Sequence, residues 1–339
     1  MAKFYPEFSE SFVRLLGAVR GRLVAVVGHS RPDGDCIGSQ VALARVLEAA
    51  GSRAVCVNSD AVPRRLEYLA HGVQFVRTDE ALLLAPDAAA VFVDCADHAR
   101  AGERLKARFH SPAGVIDHHL SNSGFAAINI VDSASAASCE MLAGILIDTG
   151  MPIDPATAAA LLAGIITDTG QFRYGSTSQR CFVLAGELVA RGASPAQAGY
   201  ELYERETPGK LRLLQNFLAS LEMEFGGRVC IGTLSQGVFA ATGTTAEDTE
   251  GLVDYARCVD GVEVGVLIEE RQDGGIKASL RARDSLCRLD MVAGLFGGGG
   301  HACAAGLNVK DARGFRTRLL EAIGERLRLV DAERTRGKP

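Results

Sequence analysis

The sequence predicts an α/β protein with two domains: an N-terminal parallel sheet with helices on both faces, and a smaller α/β domain with a mixed sheet. The chain of 339 residues is long enough to form two hydrophobic cores. In its first half, short apolar runs alternate with helix-like runs, which is typical of a parallel sheet covered by helices. After residue 220 the apolar runs are mostly β-rich. We therefore expect a first domain over 1–192, a linker helix over 193–220, a second domain over 221–330 and a tail over 331–339.

The elements of the first domain follow from apolar runs and their flanking residues. The helix that begins after Asp154 has the clearest start, because Asp can cap it and Pro155 suits the first helical position. This helix would carry Asp168 at its C-terminal end. The predicted strands are 22–28, 53–58, 89–94 and 113–117, and the predicted helices are 37–50, 133–149, 155–166 and 181–191.

The second domain contains more strands than helices. Runs of β-branched residues predict its strands, and longer runs with leucines at helical spacing predict its helices. A segment that mixes charges with leucines, 200–220, predicts the linker helix. The predicted strands are 229–234, 262–269 and 276–281, and the predicted helices are 249–259 and 314–330.

Composition argues against several classes of protein. A net charge of −5 offers no overall positive field for long nucleic acid. The sequence contains no run of about 18 apolar residues, the length that a membrane-spanning helix needs. Residues 1–10 carry acidic side chains where a signal peptide would be basic. Nine scattered cysteines without a C-x-x-C pair favour a reducing cytoplasm over disulfides or structural zinc.

Acidic residues and histidines follow several of the predicted strands. Ligands of open parallel sheets bind beyond the carboxyl ends of the strands, so these side chains can converge. A single Asp could be a helix cap and a single His a surface residue, but the whole set indicates one shared polar site. The six candidate metal ligands are His29, Asp33, Asp35, Asp94, His118 and Asp168.

Ligand counting favours two metal ions over one. Four carboxylates and two imidazoles exceed what one ion needs, and a shared carboxylate can bridge two ions about 3.5–4 Å apart. Such a pair lowers the pKa of bound water and neutralises charge on a phosphoryl group. Oxygen-rich ligands favour Mn²⁺ or Mg²⁺, and zinc is less favoured without thiolates. We expect Cys36, beside Asp35, to be a small buried residue rather than a ligand.

A run of four glycines, 297–300, is the second strong feature. Glycine leaves backbone N–H groups open to a phosphate or base, and we expect Gly299, Gly300 and His301 to contact one. A helix is expected to begin near His301 and to add the favourable end of its dipole. The alternative is a flexible hinge.

Nearby cations could assist in binding a phosphate. Alternate residues of the strand over 276–281 would place Lys277 and Arg281 on one face with Arg283, although a solvated strand face is an alternative. Arg173 follows Asp168 closely and is expected to reach a phosphate as well.

These motifs, in their order along the chain, identify a family resemblance. The chain resembles the DHH phosphoesterase superfamily with its DHH-associated C-terminal domain, over nearly the whole length. The motifs that carry the resemblance are His29-Ser-Arg-Pro-Asp33-Gly-Asp35, Val93-Asp94, Asp117-His118-His119, Thr167-Asp168-Thr169-Gly170, and Gly297–His301 followed by Ala304-Ala305-Gly306.

The resemblance implies two divalent ions, Mn²⁺ before Mg²⁺, held by the six candidate ligands. It assigns His29 and Asp33 to one ion, Asp35 and His118 to the other, Asp94 as the bridge and Asp168 as the residue that completes the site.

The resemblance also implies roles beside the ions. His119 would lie near the scissile phosphate as an electrostatic or proton-donating partner, and Asp117 would orient the imidazoles. Arg281 and the segment 299–301 would hold the far phosphate or base of the substrate.

Short stand-alone members of the family imply the activity. Those similar to this chain are bacterial nano-RNases, which degrade oligoribonucleotides of a few residues, and many also remove the 3′-phosphate of 3′-phosphoadenosine 5′-phosphate (pAp). The expected partners are short RNA or small nucleotides, without long duplexes or membranes, and a homodimer is plausible for this family.

Three alternatives stay open. A cyclic dinucleotide phosphodiesterase is one, although the membrane-bound members with that activity usually have Arg where this chain has Leu120. An exopolyphosphatase-like hydrolase is another, but it would need a more basic cleft. A nucleotide-binding regulator without activity is the third, and the intact set of carboxylates argues against it.

Overall fold

The computed structural model of the protein describes residues 3–271 and 273–336. It forms two compact units, and the boundary between them lies between Arg205 and Glu206. In the first unit the elements are α1 (Pro6–Val19), β1 (Leu23–Val27), α2 (Gly34–Ala49), β2 (Arg53–Asn58), β3 (Phe75–Arg77), α3 (Thr78–Leu82), β4 (Ala89–Val93), α4 (Glu103–Arg108), β5 (Gly114–Asp117), β6 (Ile128–Val131), α5 (Ser138–Thr149), α6 (Pro155–Asp168), α7 (Gln179–Ala190) and α8 (Pro195–Gly199).

The first unit is the predicted parallel sheet with helices on both faces. Its strand order is β3-β2-β1-β4-β5-β6, and every neighbouring pair is parallel. Along β1, Val24 and Val26 face the core beneath α1, α2, α5 and α6, whereas Ala25 and Val27 face the core beneath α3 and α4. The order of the strands reverses between β1 and β4, and such a switch point opens a crevice at the carboxyl ends of the strands.

Glycines let α2, α5 and α6 approach one another closely. A Cβ at Gly38 of α2 would clash with the carbonyl oxygen of Ala160 in α6, and one at Gly34 would clash with the side chain of Thr167. A Cβ at Gly164 of α6 would clash with Cys139 of α5. This packing brings the start of α2, the start of α5 and the end of α6 together.

The predicted strands and helices of the first unit are confirmed, with differences at several places. Helices α1, α3 and α4 were not predicted. Two short strands, β3 and β6, were not predicted. The predicted helix 133–149 begins only at Ser138, because Asp132 accepts hydrogen bonds from the Ala134 N–H and the Ser135 hydroxyl and holds the preceding residues in a turn.

The second unit is the predicted α/β domain with a mixed sheet. Its elements are α9 (Pro208–Ala219), β7 (Glu222–Glu224), β8 (Val229–Leu234), α10 (Gln236–Thr242), α11 (Val253–Arg257), β9 (Val264–Glu270), β10 (Ile276–Ala282), α12 (Leu289–Gly294), β11 (Gly299–His301), β12 (Ala304–Val309) and α13 (Phe315–Arg336). The strand order is β11-β12-β10-β9-β8-β7, with β8 and β9 parallel and the other pairs antiparallel. One face packs against α12 and α13, and the other packs in part against α9 and α11.

The predicted linker 193–220 is not one helix. Helix α8 and a π-helical turn at Tyr200–Glu204 belong to the first unit, whereas α9 belongs to the second.

Two predictions about the second unit are corrected. No helix begins at His301, because Gly299–His301 pairs as strand β11 with β12. Part of the predicted tail is helical, since α13 continues to Arg336; Arg334 binds Glu263 and Asp284 there. Residues 337–339 of that tail lie outside the described residues.

Across residues 3–271 and 273–336, none of the helices combines the length and the apolar character that a membrane crossing requires.

Candidate metal centre

The loop after β1 positions the first group of polar side chains. His29 is 3 % exposed, and its Nδ1 donates a hydrogen bond to the carbonyl oxygen of Ser30 at 2.8 Å. Because a carbonyl can only accept, Nδ1 carries the proton and Nε2 faces the carboxylates. Nε2 lies 3.7 Å from Asp33 Oδ1 and 3.4 Å from Asp94 Oδ2. We call His29, Asp33 and Asp94 Oδ2 the His29 flank.

Asp33 has a second role in the fold. Its Oδ1 accepts hydrogen bonds from the N–H groups of Asp35 and Cys36, so it is the N-cap of α2. Asp33 is therefore a helix cap, one of the two roles expected for such a residue, and the same Oδ1 lies 3.7 Å from His29 Nε2.

Asp94 lies at the end of β4 and is 2 % exposed. Its φ of 55° is left-handed, a conformation that costs a non-glycine residue free energy and is often found at functional sites. The carboxylate is split between two neighbours: Oδ2 faces His29, and Oδ1 lies 3.5 Å from His118 Nε2. The Ser138 hydroxyl donates to Oδ1 at 3.2 Å.

His118 follows β5 and faces three carboxylates. Its Nε2 lies 3.1 Å from Asp168 Oδ2, 3.5 Å from Asp94 Oδ1 and 3.9 Å from Asp35 Oδ2. Its Nδ1 donates to the Ser135 carbonyl at 3.3 Å. Asp168 ends α6, as predicted, although the negative end of the helix dipole disfavours a carboxylate there. We call Asp35, His118, Asp168 and Asp94 Oδ1 the His118 flank.

Asp35 also holds the start of α5. Its two oxygens accept hydrogen bonds from the N–H groups of Ser138 at 2.7 Å and Cys139 at 2.8 Å. Ala137, the N-cap residue of that helix, makes no side-chain cap. The fully buried Asp35 therefore supplies the missing acceptor from another helix.

The carboxylates and imidazoles shift one another's pKa. Burial opposes a charge on His118, but Asp168, Asp94 and Asp35 outweigh it and raise its pKa well above the ordinary value. Burial likewise raises the pKa of Asp168 to about 6, even though His118 lowers it. Burial, Asp94 and Asp168 raise the pKa of Asp35. Among the described residues these carboxylates pair only with histidines, so the site is short of positive charge.

The donor set fits divalent cations. Asp35 and Asp94 are buried, Asp33 and Asp168 are partly exposed, and all four supply oxygen ligands. The two histidines present Nε2 while Nδ1 is hydrogen-bonded, as is usual for imidazole ligands. Asp35, His118 and Asp168 offer ligand atoms that all lie within 4.8 Å of one another. The same holds for Asp94, His118 and His119.

Cys36 is buried, as predicted, but it also faces the site. Its sulfur lies with ligand atoms of His29 and Asp94 in a group that spans no more than 4.8 Å. Sequence reasoning assigned it to packing alone because a single buried Cys is common.

His119 and Asp117 form a hydrogen-bonded pair beside Asp94. His119 Nδ1 donates to Asp117 Oδ1 at 2.7 Å, and Asn122 Nδ2 donates to Asp117 Oδ2 at 2.7 Å. Asp117 is fully buried, so it fixes the orientation of the His119 ring. Asn122 was not singled out in the sequence.

In the second unit, the predicted contact residues lie on neighbouring strands. Arg281 of β10 is in register with Ala304 of β12, and Ala304 with His301 of β11. Gly300 has a φ of 142°, and its Cβ would clash with Ala304; Gly299 has open space around the same position. Packing therefore explains Gly300 but gives no reason for glycine at position 299.

The three cations near this strand have different partners. Lys277 binds the buried Glu269 at 2.8 Å. Arg283 donates to the carbonyl oxygens at the end of α11, from 3.3 to 3.5 Å. Arg281 donates to the carbonyl oxygen of Leu280 at 3.0 Å. Of these three cations, Lys277 is paired with an acidic side chain, whereas the hydrogen bonds of Arg281 and Arg283 are to carbonyl oxygens.

Arg173 lies on the surface of the first unit. Its Nε donates to the Gly170 carbonyl at 2.7 Å, within the loop that follows α6. This hydrogen bond ties the guanidinium to its own loop rather than to the carboxylates.

Sequence reasoning missed the loop before α5. Ser135 contacts His118, Ser138 contacts Asp94, and the N–H groups of Ser138 and Cys139 hold Asp35. The apolar pattern had placed these residues inside a helix. The clustered serines of 133–138, which favour caps and turns, were the available signal.

Comparison with known proteins identifies both units. The N-terminal domain of the DHH family matches residues 23–165, and the DHHA1 domain matches residues 226–329. Over 326 residues, 95 % of each chain, the sequence is 32 % identical to the bifunctional oligoribonuclease and PAP phosphatase NrnA of Thermus thermophilus. It is 26 % identical over 283 residues to a probable bifunctional enzyme of the same name from Streptococcus mutans, covering 83 % of this chain and 87 % of the relative.

Solved structures share the fold. An exopolyphosphatase-related protein from Bacteroides fragilis has a TM-score of 0.88 at 22 % identity and covers 96 % of this chain and 98 % of its own. The RecJ structure from Thermus thermophilus in complex with Mn²⁺ has a TM-score of 0.54 at 15 % identity, over 95 % of this chain and 55 % of RecJ.

Proposed function

Because this chain belongs to the DHH family, we propose that it hydrolyses short oligoribonucleotides to mononucleotides and removes the 3′-phosphate of pAp, with two divalent cations, Mn²⁺ before Mg²⁺, in the first unit. One observation carries the proposal: one oxygen of Asp94 faces His29 and the other faces His118, so the carboxylate is divided between the two flanks. A carboxylate divided in this way is suited to bridge two ions.

The two flanks supply the ligands. His29 and Asp33 would hold one ion, Asp35, His118 and Asp168 would hold the other, and Asp94 would contribute to both. When bound, the ions would supply Lewis-acid stabilisation of a phosphoryl group and activation of water.

The neighbouring pair of residues acts on the leaving group. Asp117 and Asn122 hold the His119 ring in one orientation beside Asp94. A fixed imidazole in that position stabilises the scissile phosphate or donates a proton to the leaving oxygen of the ribose. Asp117 acts through His119 and is a positioning residue.

The second unit recognises the nucleotide. A guanidinium binds phosphate through parallel hydrogen bonds, and Arg281 has no acidic partner among the described residues. Gly299 is paired with Gly306 across β11 and β12, and a Cβ at either position would have no close contact. This bare stretch of backbone, beside His301 of the same strand, suits the close approach of a phosphate or base.

Product analysis in Mn²⁺ tests the proposal. The protein is incubated separately with pApA, a five-nucleotide RNA, pAp, cyclic di-AMP and long polyphosphate, and the products are separated by chromatography. We expect mononucleotides from pApA and the RNA, and AMP from pAp. Cleavage of cyclic di-AMP alone, or release of phosphate from polyphosphate alone, would contradict the proposal and support the corresponding alternative.

The role of Arg281 has a matched control. Arg281→Ala should raise KM for pApA about tenfold or more, since a charged hydrogen bond contributes about 1.5–3 kcal/mol. Arg283→Ala removes an arginine two residues away that binds carbonyl oxygens of α11, so it should leave KM unchanged. Equal effects of the two substitutions on KM would contradict the assignment.

Other features of the proposal concern setting and assembly. Short RNA and small nucleotides are the proposed partners, and a cytoplasmic location and a homodimer stay predictions.

A further inference from the structure

A set of polar side chains meets at Ser135, one layer behind the proposed ligands. We call Tyr5, Asp132, Ser135, Glu140 and Arg180 the Ser135 network. The Ser135 hydroxyl lies 2.7 Å from the hydroxyl of Tyr5 and donates to Asp132 Oδ2 at 2.6 Å. Its carbonyl oxygen accepts from His118 Nδ1 at 3.3 Å. The network thus ends on the backbone atom that holds the ring of a proposed ligand.

Arg180 of α7 ties the network together. Its Nε donates to Glu140 Oε1 at 3.0 Å, and its Nη2 donates to Ser135 Oγ at 3.1 Å and Asp132 Oδ2 at 3.3 Å. The guanidinium also lies over the Tyr5 ring, 4.2 Å from its centroid. One side chain therefore joins α7, α5, the loop before α5 and the residue that precedes α1.

The centre of the network is buried, and its edge reaches the surface. Glu140 and Tyr5 are fully buried and Ser135 is 4 % exposed, whereas the side chains of Arg180 and Asp132 are 30 % and 20 % exposed. The second oxygen of Glu140 accepts from the Ala136 N–H at 2.7 Å, next to Ser135. Burying a charge costs free energy, and hydrophobic residues in place of a buried ion pair would often be at least as stable. The stability of the fold thus gives no strong reason for this arrangement. Holding the Ser135 backbone in place is a reason for it.

We infer that the Ser135 network positions His118: it fixes the Ser135 carbonyl, which holds the Nδ1 proton of His118 and aims Nε2 at Asp35, Asp94 and Asp168. This inference rests on the proposed role of His118 as a ligand of one ion. His29 takes its Nδ1 contact from Ser30, one residue away, so the network affects only the His118 flank.

Stepwise Mn²⁺ binding by calorimetry tests the inference, with Ser135→Ala as the main variant. The carbonyl remains, but the hydroxyl that anchors it is lost. We expect the ion on the His29 flank to bind as in the wild type and the ion on the His118 flank to bind about tenfold more weakly. Tenfold is the lower end of the loss in metal affinity found when residues behind metal ligands are replaced. Ser135→Thr keeps a hydroxyl and should restore most of the affinity.

Ser52→Ala is the matched control for general loosening. Ser52 is 7 % exposed and donates to the Val19 carbonyl at 3.0 Å, at the start of β2 and outside the network. It should leave both affinities unchanged. If Ser135→Ala does not fold, Tyr5→Phe takes its place. It removes only the phenolic hydroxyl and should lower the affinity for the same ion by a smaller factor.

A spectroscopic measurement reports on His118 directly. In the Co²⁺-loaded protein, the Nδ1–H proton of a bound histidine gives a strongly shifted resonance that exchanges with water. Ser135→Ala should speed the exchange of one such proton and leave that of His29 unchanged. Unchanged second-ion affinity and unchanged exchange would overturn the inference while the proposed function stands. A wild-type protein that binds fewer than two ions would overturn both.

Discussion

The two flanks of Asp94 differ in the sequence separation between the site residues and the groups that hydrogen-bond to them. On the His29 flank, Ser30 holds the imidazole and Asp33 caps the helix that follows at once. On the His118 flank, the support of Asp35 comes from Ser138 and Cys139, 103 and 104 residues away. A site can thus combine a half held by a local turn with a half held by the packing of three helices.

This difference predicts separate consequences for substitution. Substitutions on the His29 flank should weaken ion binding and leave most of the fold intact. Changes on the His118 flank should affect ion binding and helix packing together. Asp94 belongs to both flanks, and its loss should therefore have the largest effect on activity.

Replacing Asp94 tests the shared position. Asp94→Ala removes a ligand from both flanks, and we expect kcat/KM for pApA to fall by about 1,000-fold or more. Asp97→Ala is the matched control, because Asp97 lies in the same loop and caps only the turn at Ala99. It should change kcat/KM by less than about twofold. A comparable loss from both substitutions would place the effect in the loop rather than in the site.

Asp33 separates the cap from the ligand. Asp33→Asn keeps a good N-cap and should leave the free energy of unfolding almost unchanged, whereas Asp33→Ala should lower it by about 1 kcal/mol. Both variants should lower kcat by about 100-fold, because neither keeps the carboxylate. Urea unfolding and steady-state kinetics measure the two quantities. An active Asp33→Asn variant would show that Asp33 is only a cap.

Gly38 probes the packing behind the His118 flank. A Cβ at this position would clash with the Ala160 carbonyl, so Gly38→Ala should lower the free energy of unfolding by about 2 kcal/mol. Gly186→Ala, in α7, adds a Cβ with no atom within 4 Å and should raise stability by about 0.5–1 kcal/mol. Stabilisation by both substitutions would show that α2 and α6 do not need glycine at their contact.

Asp154 gives the smallest expected effect and a pH dependence. It caps α6, the helix that ends in Asp168, and its hydrogen bond with Arg45 lowers its pKa to about 2. A folded-state pKa below the unfolded value means that the carboxylate stabilises the protein above about pH 4 and loses this effect as the pH falls towards 2. Asp154→Ala should cost about 1 kcal/mol at neutral pH.

Asp154→Asn keeps the cap without the charge, so its stability relative to the wild type should be lowest at neutral pH and recover below pH 3. Thermal unfolding between pH 2.5 and 7 measures this. A constant difference over that range would contradict the role of the Arg45 pair.

The contrast between the flanks also explains what could be predicted from the sequence. The parallel sheet, the start of α6 at its Asp–Pro cap and the arrival of Asp168 at its end follow from local patterns. The convergence of His29 and Asp94 follows from the rule that strand ends meet at one edge.

The rest depends on contacts that no local pattern contains. The helix predicted over 133–149 begins only at Ser138. Asp132 accepts a hydrogen bond from the Ala134 N–H and holds a turn before the helix, and Asp35 accepts one from the Ser138 N–H at its start. The strand β11 formed where a helix was expected, since Gly299–His301 could pair with β12. Lys277 forms an ion pair with Glu269 of the adjacent strand, so its ammonium group is less available to a phosphate than the sequence indicated.

The number and coupling of bound Mn²⁺ ions would show directly whether Asp94 lies between two ions. The purified wild-type protein is titrated with Mn²⁺ and followed by electron paramagnetic resonance. The bridging arrangement at Asp94 predicts two ions per chain, with the spectrum of a spin-coupled pair. A single uncoupled ion, or none, would contradict a two-ion site at Asp94.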